Sequence, residues 1–141
     1  MGTPYSVIFE RFLSKIEDYT LLQDILSEPG YANSLMLDYL NSSIPKFTYA
    51  RDEIKVRDNE TEQFECELSE REIEIIATLM QVEYLSPKIL RSDTLENFLG
   101  SKDFETYSPA NLLKETRTTR ENIINEAKAL MVEYYYIERN D

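Results

Sequence analysis

The stretch Leu68-Ser69-Glu70-Arg71-Glu72-Ile73 decides the fold class. Ser69 and Glu72 have capping-box spacing: the hydroxyl can accept the amide three residues on, and the carboxylate can reach back to the amide of Ser69. Leu68 and Ile73 bracket the pair as a hydrophobic staple. Both devices mark the same helix start. From there Ile73, Ile76, Ala77, Met80 and Tyr84 recur at helical spacing and predict a buried stripe. Pro87 ends or kinks this helix near Leu85-Ser86.

Further helix signals lie on either side. Thr3-Pro4 reads as an N-cap with proline at the first helical position. Ile8, Phe9, Phe12, Leu13 and Ile16 then predict an amphipathic helix to about Tyr19. Leu21, Leu22, Ile25 and Leu26 extend an apolar face until Glu28-Pro29-Gly30 breaks it. A second helix is expected from Tyr31 to Ser43, burying Leu35, Met36, Tyr39 and Leu40, with Pro45 as its stop. Toward the C-terminus, Asp93 and Glu96 suggest another capping box, opening a short helix that Gly100 closes. Ser108-Pro109 opens the longest helix, expected to reach about Ile137. Its stripe runs through Leu112, Leu113, Thr116, Ile123, Ala127, Leu130, Met131 and Tyr134. The fold expected is mainly α, a helical bundle with a long C-terminal helix and a single domain over residues 1–141.

One region departs from helical spacing. Over residues 47–68, Ile54 and Val56 alternate with charges, as do Phe64, Cys66 and Leu68, with Asp58-Asn59 between them. That pattern predicts a β-hairpin or an extended arm between helices. From Asp52 to Glu74 there are ten acidic and three basic residues, a local net of −7. Two readings of this run stand side by side. It is a solvated loop, or an arm whose Ile54, Val56 and Phe64 meet a basic partner surface. A calcium loop is rejected, because Asp58, Glu60 and Glu62 lack the turn glycine and Ser69 occupies the twelfth position.

Composition narrows the chemistry. The 141 residues carry 27 acidic and 15 basic side chains, a net charge of −12, which repels nucleic acid and anionic lipid. There is no histidine, hence no ordinary neutral-pH base and no imidazole ligand. The single cysteine, Cys66, reads as a small half-buried residue. Three glycines, Gly2, Gly30 and Gly100, make no phosphate-binding loop. No signal peptide or membrane-spanning run is apparent, so cytosolic synthesis without membrane association is expected. No cofactor or metal is expected, and the chain is expected to bind proteins rather than to catalyse a reaction.

Tyr134-Tyr135-Tyr136-Ile137 remains unaccounted for by a bundle core. Successive helical residues turn by about 100°, so the three tyrosines sweep about 200° of the helix surface. Either one packs inside while the others decorate a frayed end, or a partner covers them.

Gly100-Ser101-Lys102-Asp103-Phe104 and Tyr107-Ser108-Pro109-Ala110-Asn111-Leu112-Leu113-Lys114-Glu115-Thr116-Arg117 carry a resemblance. Together with Leu68-Ser69 and the helix from Glu72 to Leu85, they resemble small virion proteins of tailed phages, the neck, head–tail connector or head-completion proteins. The resemblance covers about half the chain, Leu68 to Tyr135, and brings no catalytic or ligand-binding motif. It implies an adaptor ring, a dodecamer matching the portal, stacked beneath it and extending its channel toward the tail. The implied partners are further copies of the chain, the portal protein, and a tail-side neck or tail-terminator protein. The genome passes without specific binding, which an acidic lumen would favour. Location in the virion neck, and in the host cytoplasm before assembly, follows from the same resemblance. By transfer, Tyr134, Tyr135, Tyr136 and Ile137 dock the portal. The N-terminal half matches no specific adaptor. The competing expectation is a small acidic phage-encoded regulator that mimics DNA and occupies a basic site on a host protein.

Overall fold

The computed structural model describes residues 2–16, 29–86 and 109–139. The short helix expected from Asp93, the Leu21–Leu26 face and the Gly100–Phe104 motif lie outside them. The fold is mainly helical, with a long C-terminal helix and a small two-stranded hairpin. Its helices are α1 (Tyr5–Lys15), α2 (Pro29–Ser43), α3 (70–86) and α4 (Pro109–Tyr134), the last running on into a turn of π-helix at Tyr135–Arg139. Strands β1 (Arg57–Asp58) and β2 (Gln63–Phe64) pair antiparallel between α2 and α3.

Helix α3 is the hub. Its Ile73, Ile75, Ile76, Ala77, Leu79, Met80 and Val82 are all buried, more of its circumference than the stripe at Ile73, Ile76, Ala77 and Met80 predicts. A helix apolar nearly all round must be covered on all sides, and here its neighbours do so. Helix α1 presents Tyr5, Ile8, Phe9 and Phe12 at spacings of one and two turns, all buried. Helix α2 presents Ala32, Met36 and Leu40, four residues apart. Phe12, Tyr39 and Tyr84 meet edge-to-face at centroid distances of 5.9 to 6.2 Å and join α1, α2 and α3. Fully burying an aliphatic side chain contributes about 2 kcal/mol, so α3 is a major contributor to the core. At the rim, Arg11 reaches Glu74 at 2.8 Å and Glu70 at 2.7 Å, and Lys15 pairs with Glu74.

Helix α2 already includes Pro29 and Gly30, ahead of the expected start at Tyr31. The helix ends at Ser43 as expected, and Pro45 sits just beyond it in the first turn of a 3-10 segment, Ile44–Lys46, where its missing amide is not needed. Ser43, the last residue of α2, donates its hydroxyl back to the carbonyl of Tyr39 at 2.6 Å.

The N-terminal signal is also used differently. Pro4, not Thr3, is the residue before α1, and it provides no side-chain cap. Thr3 instead joins the hairpin. Its amide donates to the carbonyl of Cys66 at 3.1 Å, its carbonyl accepts the amide of Phe64 at 2.8 Å, and its hydroxyl oxygen accepts the amide of Leu68 at 2.8 Å. Residues 2–5 therefore run along β2 as a strap. Gly2 lies so close that a Cβ there would stand 1.5 Å from the carbonyl oxygen of Phe64. Only glycine fits.

The strap corrects the reading of residues 47–68 as an arm offering apolar contacts. Ile54 and Phe64 are wholly buried, Phe64 packing edge-to-face on Tyr5 at 5.2 Å. They belong to the core, leaving Val56 as the exposed member of that trio. The chain reverses after Asp58-Asn59. The Asp58 carboxylate accepts the amides of Glu60 and Thr61, which closes the turn and holds its own pKa low.

Candidate docking surface

The capping box forms as the sequence predicts, and then does more. Glu72 Oε1 accepts the amide of Ser69 at 2.8 Å, and Ser69 Oγ accepts the amide of Glu72 at 3.2 Å. The Glu72 carboxylate is itself buried and collects two further partners. Arg51 grips it bidentately, Nε to Oε2 at 2.7 Å and Nη2 to Oε1 at 3.0 Å. Tyr134, from the last turn of α4, donates its hydroxyl to Oε2 at 2.8 Å. Arg51 also donates to the carbonyl of Glu67 at 2.7 Å. One carboxylate thus ties together the start of α3, the segment after α2 and the end of α4.

The electrostatics follow from that crowding. Burial pushes the Glu72 carboxyl up, but the donors from Arg51, Ser69 and Tyr134 outweigh it, and the net displacement is below the usual carboxylate range. Burial and the hydrogen bond to Glu72 both push the Tyr134 phenol well above its ordinary value. Arg51 is held still more firmly in its charged form by Glu72. With four hydrogen bonds arriving, the carboxylate has no acceptor capacity left for a substrate proton. The junction ties these elements together.

What it positions is an aromatic ledge. Tyr134 is 1% exposed, whereas Tyr136 is 64% exposed two residues later. Tyr135, Tyr136 and Ile137 stand on the π-turn and point to solvent. Single π-turns recur at functional positions in helices. Tyr49 extends the ledge from the far side, its ring centroid 4.6 Å from that of Tyr135, while Tyr136 stands 5.4 Å from Tyr135. Tyr49 is held in the left-handed backbone region, φ 68°, and its carbonyl accepts Arg139 Nε at 3.0 Å. Strained backbone of this kind needs support from its surroundings, and the Arg139 contact gives it.

A cleft of about 450 Å³ opens beside the ledge, lined by Arg51, Glu67, Leu68, Ser69, Glu72, Tyr134, Glu138 and Arg139. The structure therefore divides the docking residues expected from sequence. Tyr135, Tyr136 and Ile137 come together on one exposed surface, and Val56 is exposed on the hairpin segment. Tyr134, with Ile54 and Phe64, is corrected to the interior, because Glu72 supplies its hydroxyl with a buried acceptor and Phe47 supplies its ring with an edge-to-face neighbour at 5.2 Å. Tyr49, Arg51 and Arg139 are neighbours of this surface that sequence reasoning missed. Nothing in their local sequence marks them: Arg51 stands among other cations, Lys46, Lys55 and Arg57.

Burial pushes the Cys66 thiol up, away from the thiolate, and its Sγ lies 3.6 Å from the carbonyl oxygen of Glu53. Among the described residues, no group of three or more histidine, cysteine, aspartate or glutamate side chains could hold a metal ion. No helix among them is long and apolar enough to cross a membrane. No family model, curated protein or solved structure matches the chain.

Proposed function

We propose that this chain is a structural adaptor of a tailed-phage neck, one subunit of a dodecameric ring beneath the portal that connects head to tail and lets DNA through. The assignment to phage necks rests on the resemblance in Gly100–Phe104 and Tyr107–Arg117. The observation that supports a binding role is the exposed ledge of Tyr49, Tyr135, Tyr136 and Ile137, anchored to the core through Tyr134 and Glu72. Large aromatic side chains on a rigid base lose little entropy on docking, which is what an assembly contact requires. In this reading the ledge faces the portal, other surfaces meet neighbouring copies and the tail-side neck or tail-terminator protein, and the acidic exterior does not retain DNA. The protein waits in the host cytoplasm and ends in the virion neck.

The test is the mass of the purified protein, alone and mixed with the portal of the same phage. Association into a portal-sized complex that a Tyr135→Ser, Tyr136→Ser double variant fails to form supports the proposal. A chain that ignores the portal and binds a basic host protein, steeply weakened by salt, is instead a DNA-mimicking regulator.

A further inference from the structure

We propose that Tyr49 and Tyr135 are a site of oxidative cross-linking, where their two phenol rings join as dityrosine; this goes beyond the docking reading and does not depend on it. The ring centroids lie 4.6 Å apart with the planes inclined by 40°, and both side chains are exposed. The product is two rings joined by one carbon–carbon bond and twisted out of a common plane. It needs nearly the same centroid spacing, so the rings must slide but not travel. Each partner is also held from outside the pair. Tyr49 sits in the left-handed backbone region, and its carbonyl accepts Arg139 Nε at 3.0 Å. Tyr135 follows Tyr134, whose hydroxyl is fixed on Glu72 at 2.8 Å. Two phenols kept adjacent in this way meet at an effective concentration far above that of a second copy in solution.

The oxidant is hydrogen peroxide, acting through a haem peroxidase. Each phenol gives up one electron and its hydroxyl proton, and the two radicals form a bond between the ring carbons next to their oxygens. The hydrogen on each of those carbons moves to the oxygen and restores the phenol. The peroxide takes up the two electrons and two protons and leaves as two waters, so the chain loses two hydrogen atoms. Among the described residues, no other tyrosine pair combines this spacing with this inclination. Tyr135 and Tyr136 stand 5.4 Å apart at 76°, edge to face. Tyr39 and Tyr84 stand 6.2 Å apart at 80°, packed against Phe12. Tyr134 is buried. The new bond fastens the π-turn after α4 to the segment after α2, restricting the unfolded chain as a disulfide would.

The test treats the full chain, at several dilutions, with a haem peroxidase and equimolar hydrogen peroxide. Dityrosine fluorescence should appear in a product with the mass of one chain less two hydrogen atoms, in a yield that dilution does not change. After tryptic cleavage, the peptide Phe47–Arg51 should be found joined to Ala129–Arg139. Tyr49→Phe and Tyr135→Phe should each abolish that joined peptide, and Tyr136→Phe should keep it. The cross-linked chain should unfold at a higher urea concentration than the untreated one. Dityrosine found only between two copies, or a joined peptide that survives in Tyr135→Phe, would overturn the proposal. Should Tyr49→Phe or Tyr135→Phe fail to fold, the peptide map of the parent chain decides alone: a map without the joined peptide overturns the proposal. Failure of the chain to bind a portal would leave this result untouched, because no portal is present in the reaction.

Discussion

Tyr134 and Tyr136 carry the same side chain two residues apart, yet one is buried at 1% exposure and the other stands 64% exposed. Residue type does not explain the difference. Two helical steps of about 100° turn a side chain from the core to nearly the opposite face. Glu72 then fixes which of the tyrosines goes in, because its carboxylate is the buried acceptor that a phenol needs. The interior region, Arg51–Glu72–Tyr134, should therefore govern stability and leave partner choice alone. The exposed region, Tyr49–Tyr135–Tyr136–Ile137, should do the reverse.

The largest break in that division should come from Glu72→Ala. It deletes one half of the capping box, leaves the Tyr134 hydroxyl buried without its acceptor, and strands Arg51. Losing one partner of a buried ion pair commonly costs 3–5 kcal/mol, and Arg51, 30% exposed, can regain water, so about 3 kcal/mol is expected. A shift in the urea midpoint measures it. A shift below about 0.5 kcal/mol, the range of ordinary surface changes, would mean that the junction is ornamental.

Acid should strike the same region. Glu72 and Glu74 are both held below the ordinary carboxylate range, Glu72 by Arg51, Ser69 and Tyr134, and Glu74 by Lys15 and Arg11. A depressed folded-state pKa contributes stability that is present above the unfolded value, about 4.3 for glutamate, and is lost as pH falls through the folded value. Unfolding free energy should therefore drop steadily below about pH 4.5, less steeply in Glu72→Gln than in the parent chain. Equal slopes would place the proton uptake elsewhere.

Tyr134→Phe is a gentler probe, for it keeps the ring against Phe47 and removes only the hydroxyl. The loss should be about 1.5 kcal/mol, the low end for a hydrogen bond to a charged group, because Arg51 Nε still serves Oε2. Ser69→Ala should cost about 1 kcal/mol through the missing cap acceptor. Thermal unfolding can rank the two. Neither should alter assembly, since neither touches the ledge.

How much of this could be read beforehand depends on sequence distance. The capping box spans three residues, so Ser69 and Glu72 announce the start of α3 correctly. The stripe through Ala127, Leu130, Met131 and Tyr134 likewise runs along the inner face of α4, and it conflicts with giving Tyr134 a docking role; the structure sides with the stripe. What local patterns cannot reveal is a partner from far along the chain. Thr3 carries every feature of an N-cap, yet its hydroxyl serves Leu68, 65 residues away. Phe64 looks like part of an exposed alternation until the strap of residues 2–5 is laid beside it. Arg51 and Glu72 are separated by 21 residues, and nothing in either neighbourhood names the other.

The smallest stability effect and the largest functional one should coincide in Tyr136→Ser. Its ring is mostly in water and stands against Tyr135, so removing it should change unfolding free energy by no more than about 0.5 kcal/mol. An aromatic at the centre of an interface can nevertheless cost 2 kcal/mol or more of binding, about a thirtyfold loss of affinity. Paired measurements of the urea midpoint and of portal association on the same preparation decide the matter. Stability kept and association lost would separate the two regions as the buried and exposed tyrosines suggest. Lost stability would instead mean that the ledge is part of the core's support. Strained Tyr49, stacked on Tyr135 and held by Arg139, is then where that support would have to run.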